Sequence, residues 1–465
     1  MAQIVPDRAS FKDPDAHVFS YHGRIYRSFN QRGAQQFRAF AQSGLLDIFT
    51  QRGWLISSHP VAEGKLQDLQ GEEAQSALVL EHPLIPFLSY CYCWPFDMLR
   101  SAAILHLELL RECLAKGFIL KDATPYNIQF WGPNPVFIDV ASFKPWQEGQ
   151  GWKAYAQFCR LFLNPLLLES ATGVHFQPWL RGSLEGIAPS ELSGLTPFLH
   201  KLRKGVFLDV VAQAWLERKV AKGSASLERL ISSAPITKKK VLSTVERLHG
   251  TIEGLKPRPG SSHWTRYRVD SSYDEEAWKY KEQFVERAIG SASPNTVWDL
   301  GCNTGHYSVV ASRRSSYVIA MDSDADAINV LFHRAQEEQH NILPLVMDVL
   351  NPSPDQGWNQ EEWPGLTSRS RPDFVLCLAL IHHLAIHGNV PIKMFMAWLS
   401  ALADRGVIEF VPKSDPLVQK LLRWREDRYR DYTQESFEAA LQRHFRITER
   451  AAIPGSERIL YAFAR

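Results

Sequence analysis

The stretch Thr296-Val-Trp-Asp-Leu-Gly-Cys-Asn-Thr-Gly-His-Tyr307 decides the fold of the second half of the chain. Its apolar run ends in an acid, a Gly-x-x-x-Gly turn follows, and a polar helix start completes it, which predicts strand, tight loop and helix in succession. Gly301 and Gly305 let the backbone approach a ligand closely, and the helix behind them turns its first N–H groups toward whatever lies in the crevice. In open α/β sheets that crevice lies beyond the carboxyl ends of parallel strands.

Asp274 to Ile289 predicts a helix ahead of this stretch, and strands and helices alternate behind it. Tyr317 to Met321 predicts a strand ending at Asp322, with a helix over Ala325 to Gln336; Ile342 to Val346 predicts another strand, ending near Asp348. Asp373 to Cys377 predicts a fourth strand, followed by a helix over Val390 to Leu402 and a fifth strand over Gly406 to Phe410. Alternation at this spacing is the pattern of a parallel, doubly wound sheet. Asp322, at the end of its strand, is placed to accept hydrogen bonds from both hydroxyls of a ribose. A dinucleotide-binding turn would read Gly-x-Gly-x-x-Gly, whereas here Asp299 stands two residues before Gly301. A carboxylate there repels a diphosphate and suits an amino group.

As a set, D-L-G-C-N-T-G, Asp322, Asp348 and the strand P-D-F-V-L-C-L-A-L-I-H-H-L resemble the class I S-adenosylmethionine-dependent methyltransferases, from about Trp264 to Arg465. The resemblance implies a Rossmann-like doubly wound domain with S-adenosyl-L-methionine as cofactor. Asp299, Gly301, Asn303 and Gly305 would wrap the methionine portion, Asp322 would bind the ribose, and Asp348 would reach the adenine amino group, with Met347 or Val349 on the ring. Trp264, Tyr267 and Tyr273 are expected to close over the cofactor or acceptor. His382 and His383 follow the fourth strand, where the acceptor lies in such folds, and a near-neutral imidazole suits removal of a hydroxyl proton. Glu409, ending the fifth strand, faces the same cleft by topology. The two histidines and Glu409 also make an incomplete ligand set for a divalent ion, and no metal is expected.

A second informative stretch, Gly117 to Phe143, lies far upstream: G-F-I-L-K-D-A-T-P-Y-N-I-Q-F-W-G-P-N-P-V-F-I-D-V-A-S-F. It resembles the catalytic segment of protein kinases and aminoglycoside phosphotransferases. The resemblance implies that Asp122 takes the place of the acid that accepts the substrate proton, and that Asn127 and Asp139 take the places of the metal-holding residues. The departures are specific. Leu120-Lys121 stands where a histidine is usual, no glycine-rich phosphate loop precedes Gly23, and no strand lysine is evident, Arg27 being the nearest candidate. A degenerate kinase-like α+β domain is therefore expected over residues 1–250. A simpler reading has Asp122 and Asn127 capping a turn and Asp139 ending a strand.

Local patterns fill in this half. Val18 to Phe29 alternates around Gly23 and predicts a hairpin; Phe37 to Phe49 predicts a helix broken at Ser43-Gly44. Trp54 to Ser57 and Ala77 to Leu80 predict short strands. Asp97 is placed to cap a long buried helix over Met98 to Leu114. Trp152 to Leu168 predicts a helix kinked or ended at Pro165, and helical sequence runs from about Leu192 to Val245. Residues 251–262, ending in Pro, Gly and Ser, read as the linker to a domain over 263–465.

Composition excludes several classes. With 45% hydrophobic and 22% charged residues, the chain is not built to be disordered, and a formal charge of +2 supplies no global field for nucleic acid. Lys238-Lys239-Lys240 reads as a solvated face. Six scattered cysteines show no zinc spacing and read as reduced structural thiols. No signal-peptide core and no apolar run of bilayer length is evident, so a cytoplasmic protein without membrane contact is expected.

Across both halves, L-K-D-A-T-P-Y-N-I-Q-F, F-I-D-V-A-S-F, W-D-L-G-C-N-T-G, I-E-F-V-P-K-S-D-P and P-G-S-E-R-I-L-Y resemble the NoeA-type family of bacterial proteins associated with nodulation. The leading expectation is methyl transfer to an oxygen or nitrogen of a small-molecule, glycan or peptide-like acceptor, with the kinase-like half recognising that acceptor. Two alternatives stand beside it: a bifunctional kinase-methyltransferase using Asp122 and Asp139, and a scaffold that holds the cofactor without turnover.

Overall fold

Alternating aromatic and polar residues pair first. β1 (Val5–Pro6), β2 (Ala16–Tyr21), β3 (Arg24–Phe29), β4 (His59–Pro60) and β5 (Leu78–His82) form an antiparallel sheet in the order β1-β2-β3-β5-β4. The β2/β3 hairpin turns at His22 and Gly23, both at positive φ (50° and 72°), the twist that a two-residue hairpin loop requires. This is a computed structural model, and it describes residues 4–62, 76–197, 206–215, 236–258, 275–423 and 427–465. The chain divides into two compact units: unit 1 comprises Met1–Gly260 with Asp355–Trp363, and unit 2 comprises Ser261–Pro354 with Pro364–Arg465.

In unit 1 the helices Gln31–Gln42 and Leu45–Gln51 follow the hairpin, separated at Ser43-Gly44 where Gly44 takes φ 78°. Asn30 caps the first by accepting from Gly33 N. The expected strand over Trp54 to Ser57 is reduced to an isolated parallel pairing of Leu55 with Phe137, held by Ile56 N donating to Phe137 O at 2.9 Å and Phe137 N donating to Trp54 O at 2.8 Å. The long helix runs Phe96–Ala115. Its N-cap is Pro95, and Asp97 lies one residue inside, paired to Arg100 at 2.9 Å rather than capping. β6 (Phe118–Leu120) pairs with β9 (Phe143–Pro145), and β7 (Ile128–Trp131) with β8 (Asn134–Phe137). Phe40 stacks on Phe143 with centroids 4.1 Å apart, so the first helix and the β9 strand share one core.

The segment expected to kink at Pro165 instead widens before it. Tyr155–Phe158 leads into one wide turn, Cys159–Leu163, and then Asn164–Thr172, whose second residue is Pro165. Leu163 and Asn164 are themselves helical (φ −67° and −66°), so Pro165 sits inside a continuous helix and the wide turn just before it accommodates the N–H it lacks. Helix Lys238–Glu253 occupies the first residues of the expected linker. All six cysteines are buried free thiols, and among the described residues no helix is long and apolar enough to cross a membrane.

Unit 2 opens with the helix Glu275–Ala292. Its sheet contains β10 (Thr296–Leu300), β11 (Tyr317–Asp322), β12 (Ile342–Val346), β13 (Phe374–Cys377), β14 (Arg405–Phe410), β15 (Arg446–Ala452) and β16 (Ile459–Ala464), ordered β12-β11-β10-β13-β14-β16-β15. β10 to β14 run parallel and β16 antiparallel to β14. The order reverses at β10, which places the ligand crevice at its carboxyl end. Nothing in the alternation of the sequence predicted the closing β15/β16 hairpin. Residues 355–363 fall between β12 and β13 in sequence but pack within unit 1, so the expected uninterrupted domain over 263–465 is interrupted there. Gln356 pairs back to Trp363, whose ring stacks on Tyr126 at 4.3 Å, and the buried Glu362 accepts from Lys12 Nζ at 2.6 Å.

Candidate active site

The carboxyl end of β10 sets the site of unit 2. Asp299, opposite Ala320 in β11 and Leu376 in β13, is almost fully buried. Ser308 Oγ donates to its Oδ2 at 2.6 Å. Burial, with the Asp322 charge adding to it, lifts its carboxyl to about 7 against the lowering effect of Ser308 and Lys281. Gly301 N and Cys302 N both donate to Met321 O, at 2.8 and 3.0 Å, and this crossing requires the positive φ (75°) of Gly301. A Cβ on Gly301 would lie 3.1 Å from Leu380 Cδ1. One on Gly305, at φ 77°, would lie 2.2 Å from Leu331 Cδ1. Both glycines are thus required by shape.

Asn303, at φ 52°, donates its backbone N–H to Asp322 Oδ2 at 2.8 Å, and Asp324 N donates to Asp322 Oδ1 at 3.0 Å. Asp322 is half-buried, and burial raises its pKa while these two N–H groups oppose the rise. Its carboxylate is oriented by these two backbone donors. Asp348 is exposed just past β12, where Leu350 N donates to its Oδ1 at 2.8 Å, and Met347 beside it is buried. Asp299, Gly301, Asn303, Gly305 and Asp322 therefore form one loop cluster, with Asp348 one strand further out. None of the three acids pairs with a basic side chain among the described residues. Tyr273, with Trp264 and Tyr267, lies outside the described residues.

β13 leads into Ala379, held at φ 49°, and then into His382 and His383, whose rings lie 4.1 Å apart. His382 is 1% exposed, and neither ring nitrogen has a hydrogen-bond partner among the described residues. Burial, then the neighbouring His383, Arg458 and Lys281, holds its pKa well below the ordinary value. His383, half-buried, opens the wide turn His383–His387, and burial, His387 and Arg458 lower it to about 4. Both imidazoles are neutral at physiological pH, and only His383 has an exposed edge.

Glu409 is corrected by the structure. Expected as a catalytic carboxylate facing the cleft, it is fully buried and spoken for on both oxygens. Lys281 Nζ (2.6 Å) and Ala379 N (2.9 Å) donate to Oε2, and Arg458 Nη1 (3.3 Å) to Oε1; Arg458 Nε also pairs with Asp415 at 2.7 Å. A carboxylate between two cations is a poor base, but it anchors the strained Ala379 turn that aims the histidines. Lys281 and Arg458 were missed in the sequence. Lys281 carried a signal, since it sits on the buried stripe of Ala277, Phe284, Val285 and Ala288, where a lysine needs a partner.

Unit 1 brings Asp139, Asn127 and Arg27 together. Asp139 caps the turn Val140–Ser142, its Oδ1 accepting from Arg27 Nη1 at 2.7 Å and Ala141 N at 3.3 Å, its Oδ2 from Asn127 Nδ2 at 3.4 Å. Arg27 comes from β3 and is 9% exposed. Asp122 is exposed, without a hydrogen-bond or ion-pair partner among the described residues, and near enough to Asp139 to feel its charge. Lys121 faces Asp15 and Asp13 at 3.8 and 3.9 Å.

Residues 272–446 match the family model described as a methyltransferase domain. Nodulation protein NoeA of Rhizobium meliloti (strain 1021) is 37% identical over 464 residues, covering 98% of this chain and 95% of that protein. Among solved structures, the N-methyltransferase NodS from Bradyrhizobium japonicum WM9 in complex with S-adenosyl-L-homocysteine is 12% identical. It covers 44% of this chain and 93% of its own, at a TM-score of 0.33. The bifunctional kinase-methyltransferase WbdD is 18% identical, covering 43% and 41%, at a TM-score of 0.29. Superpositions this loose carry no argument about either unit, and the assignment rests on the family model and the full-length relative. The site is compatible with it: a buried carboxylate without an ion pair among the described residues, two closely packed glycines at positive φ, and an acid at the end of the next strand lie together at the carboxyl end of β10. The chain belongs to the NoeA family and is an S-adenosyl-L-methionine-dependent methyltransferase.

Proposed function

We propose that the enzyme methylates an oxygen or nitrogen of a small-molecule, glycan or peptide-like acceptor, with unit 1 contributing to recognition of that acceptor. The observation that carries the reading is the placement of Asp299, Asp322 and Asp348 at successive strand ends around the Gly301–Gly305 loop. Asp299 takes the amino group, Gly301, Asn303 and Gly305 the rest of the methionine portion, Asp322 the ribose hydroxyls and Asp348 the adenine amino group.

When bound, the sulfonium supplies an electrophilic methyl carbon for in-line attack by an acceptor lone pair, the carbon–sulfur bonding pair returning to sulfur. The chain aligns the acceptor and provides a place for its proton. His383 is the residue for that role, being neutral and the more open of the pair. His382, buried beside it, sets the direction of the ring, and the Lys281–Glu409–Arg458 network fixes the turn that carries both. A base whose pKa lies near 4 is weak, so His383 orients a hydroxyl or amine as it accepts the proton late in the transfer.

Calorimetry with S-adenosyl-L-methionine tests the cofactor site: Asp322→Ala should bind at least about a hundredfold more weakly, since each lost hydrogen bond to a charged group costs about 1.5–3 kcal/mol. Unchanged affinity would sink the placement. Incubation of isotopically labelled S-adenosyl-L-methionine with extract of the source organism, followed by identification of the labelled product, names the acceptor. With that acceptor, His383→Gln should lower kcat by about 10²–10⁴-fold while cofactor affinity holds.

A further inference from the structure

The kinase resemblance of unit 1 implies a divalent metal bridging nucleotide phosphates at Asp139 and Asn127. The residues present do not fit one. A metal there needs free carboxylate lone pairs at about 2.0–2.1 Å, and it tolerates no cation on the same carboxylate. Asp139 Oδ1 already accepts from the Arg27 guanidinium at 2.7 Å and from Ala141 N at 3.3 Å. Oδ2 receives the side-chain amide of Asn127 at 3.4 Å. A second guanidinium nitrogen, Nη2, donates to Ile138 O at 3.3 Å, which fixes the arginine on both sides of the turn. The pair is largely shielded, with side chains 11% and 16% exposed, so solvent does little to screen it. Among the described residues no group of three or more His, Cys, Asp or Glu side chains is arranged to hold a metal ion.

We propose that Arg27 is the resident cation of the unit 1 acid cluster, standing on Asp139 where a divalent metal would have to bind. The cluster is thereby committed to metal-free hydrogen bonding, and Asp122 is the carboxylate left to accept from a ligand. Arginine suits the post better than lysine: its planar fork spans a carboxylate and a carbonyl at once, and it stays charged at every accessible pH. The inference deepens the recognition role proposed for unit 1 and is independent of methyl transfer in unit 2.

The test is titration of Mn²⁺ into the full-length protein, followed by the electron paramagnetic resonance signal of the free ion. The wild type should leave the signal unchanged. Arg27→Gln, which removes the cation and keeps a polar side chain, should bind Mn²⁺ at least about tenfold more tightly, and adding Asp139→Asn to it should abolish the gain. Arg27→Lys keeps the charge and should behave as the wild type. The inference is overturned by Mn²⁺ binding in the wild type that Asp139→Asn removes, or by no gain in a folded Arg27→Gln. Should Arg27→Gln fail to fold, Arg27→Met takes its place in the same titrations, with the same gain expected and its absence equally overturning the inference. S-adenosyl-L-methionine binding, measured on the same samples, should be equal throughout. Its loss from the wild type would count against the methyltransferase reading and leave this one standing.

Discussion

Two clusters of acids can be set side by side. In unit 1, Asp139 is neutralised by an arginine of its own chain and hydrogen-bonded on both oxygens. In unit 2, Asp299 and Asp322 meet only a hydroxyl and backbone N–H groups, and burial pushes both toward protonation. The difference lies in where the counter-charge comes from. An acid cluster that carries its own cation is finished, whereas acids without an ion pair, with Lys281 acting on Asp299 only at a distance, leave room for a cationic ligand under the proposed reading. The sulfonium and ammonium of S-adenosyl-L-methionine are such a ligand, and the first cluster asks for nothing comparable.

The widest separation should come from Asp139→Ala. It leaves the Arg27 guanidinium shielded and unpaired, which costs about 3–5 kcal/mol for a buried pair and somewhat less with the exposure seen here. Chemical denaturation should show the loss, with cofactor affinity unchanged. Gly305→Ala should act on unit 2 alone: a Cβ 2.2 Å from Leu331 Cδ1 at φ 77° costs about 1–3 kcal/mol and displaces the loop. A thermal shift together with weakened cofactor binding is the expected result, and a wild-type profile would show that the loop adapts.

Asp299 should make the comparison depend on pH. Its native pKa of about 7 lies above the ordinary value of 3.8, so the folded protein holds a proton that the unfolded chain has released between those values. The stabilisation from this group is therefore complete below about pH 4 and is lost as pH rises through about 7. A bound ammonium needs the carboxylate, so cofactor affinity should weaken by up to about tenfold for each pH unit below 7. Asp299→Asn should flatten that dependence. The smallest effect belongs to Asp122→Ala, where an exposed, unpaired acid should change stability by no more than about 0.5 kcal/mol. Any loss of acceptor binding in that variant then reports recognition rather than folding.

Much of unit 2 was legible because its residues answer to local rules. The strand ends at Asp322 and Val346, the glycine pair and the break at Ser43-Gly44 in unit 1 all depend on neighbours a few residues away. Asp97 misled because a cap depends on register: the helix starts two residues earlier than expected, and Pro95 took the position. Glu409 misled for a different reason. Topology correctly put it at the end of a buried strand, but only folding could bring up Lys281 and Arg458 to claim its oxygens.

The sequence by itself determined the alternating elements of unit 2, the acids at its strand ends and the glycines that bend its cofactor loop, since periodicity, turn chemistry and spacing are properties of short stretches. The tertiary structure alone decided which charges cancel. Arg27 and Asp139 are separated by more than a hundred positions, as are Lys281 and Glu409, and residues 355–363 leave their neighbours in sequence to pack with unit 1. Ion pairs form by distance in space, and nothing in a linear pattern reports that distance.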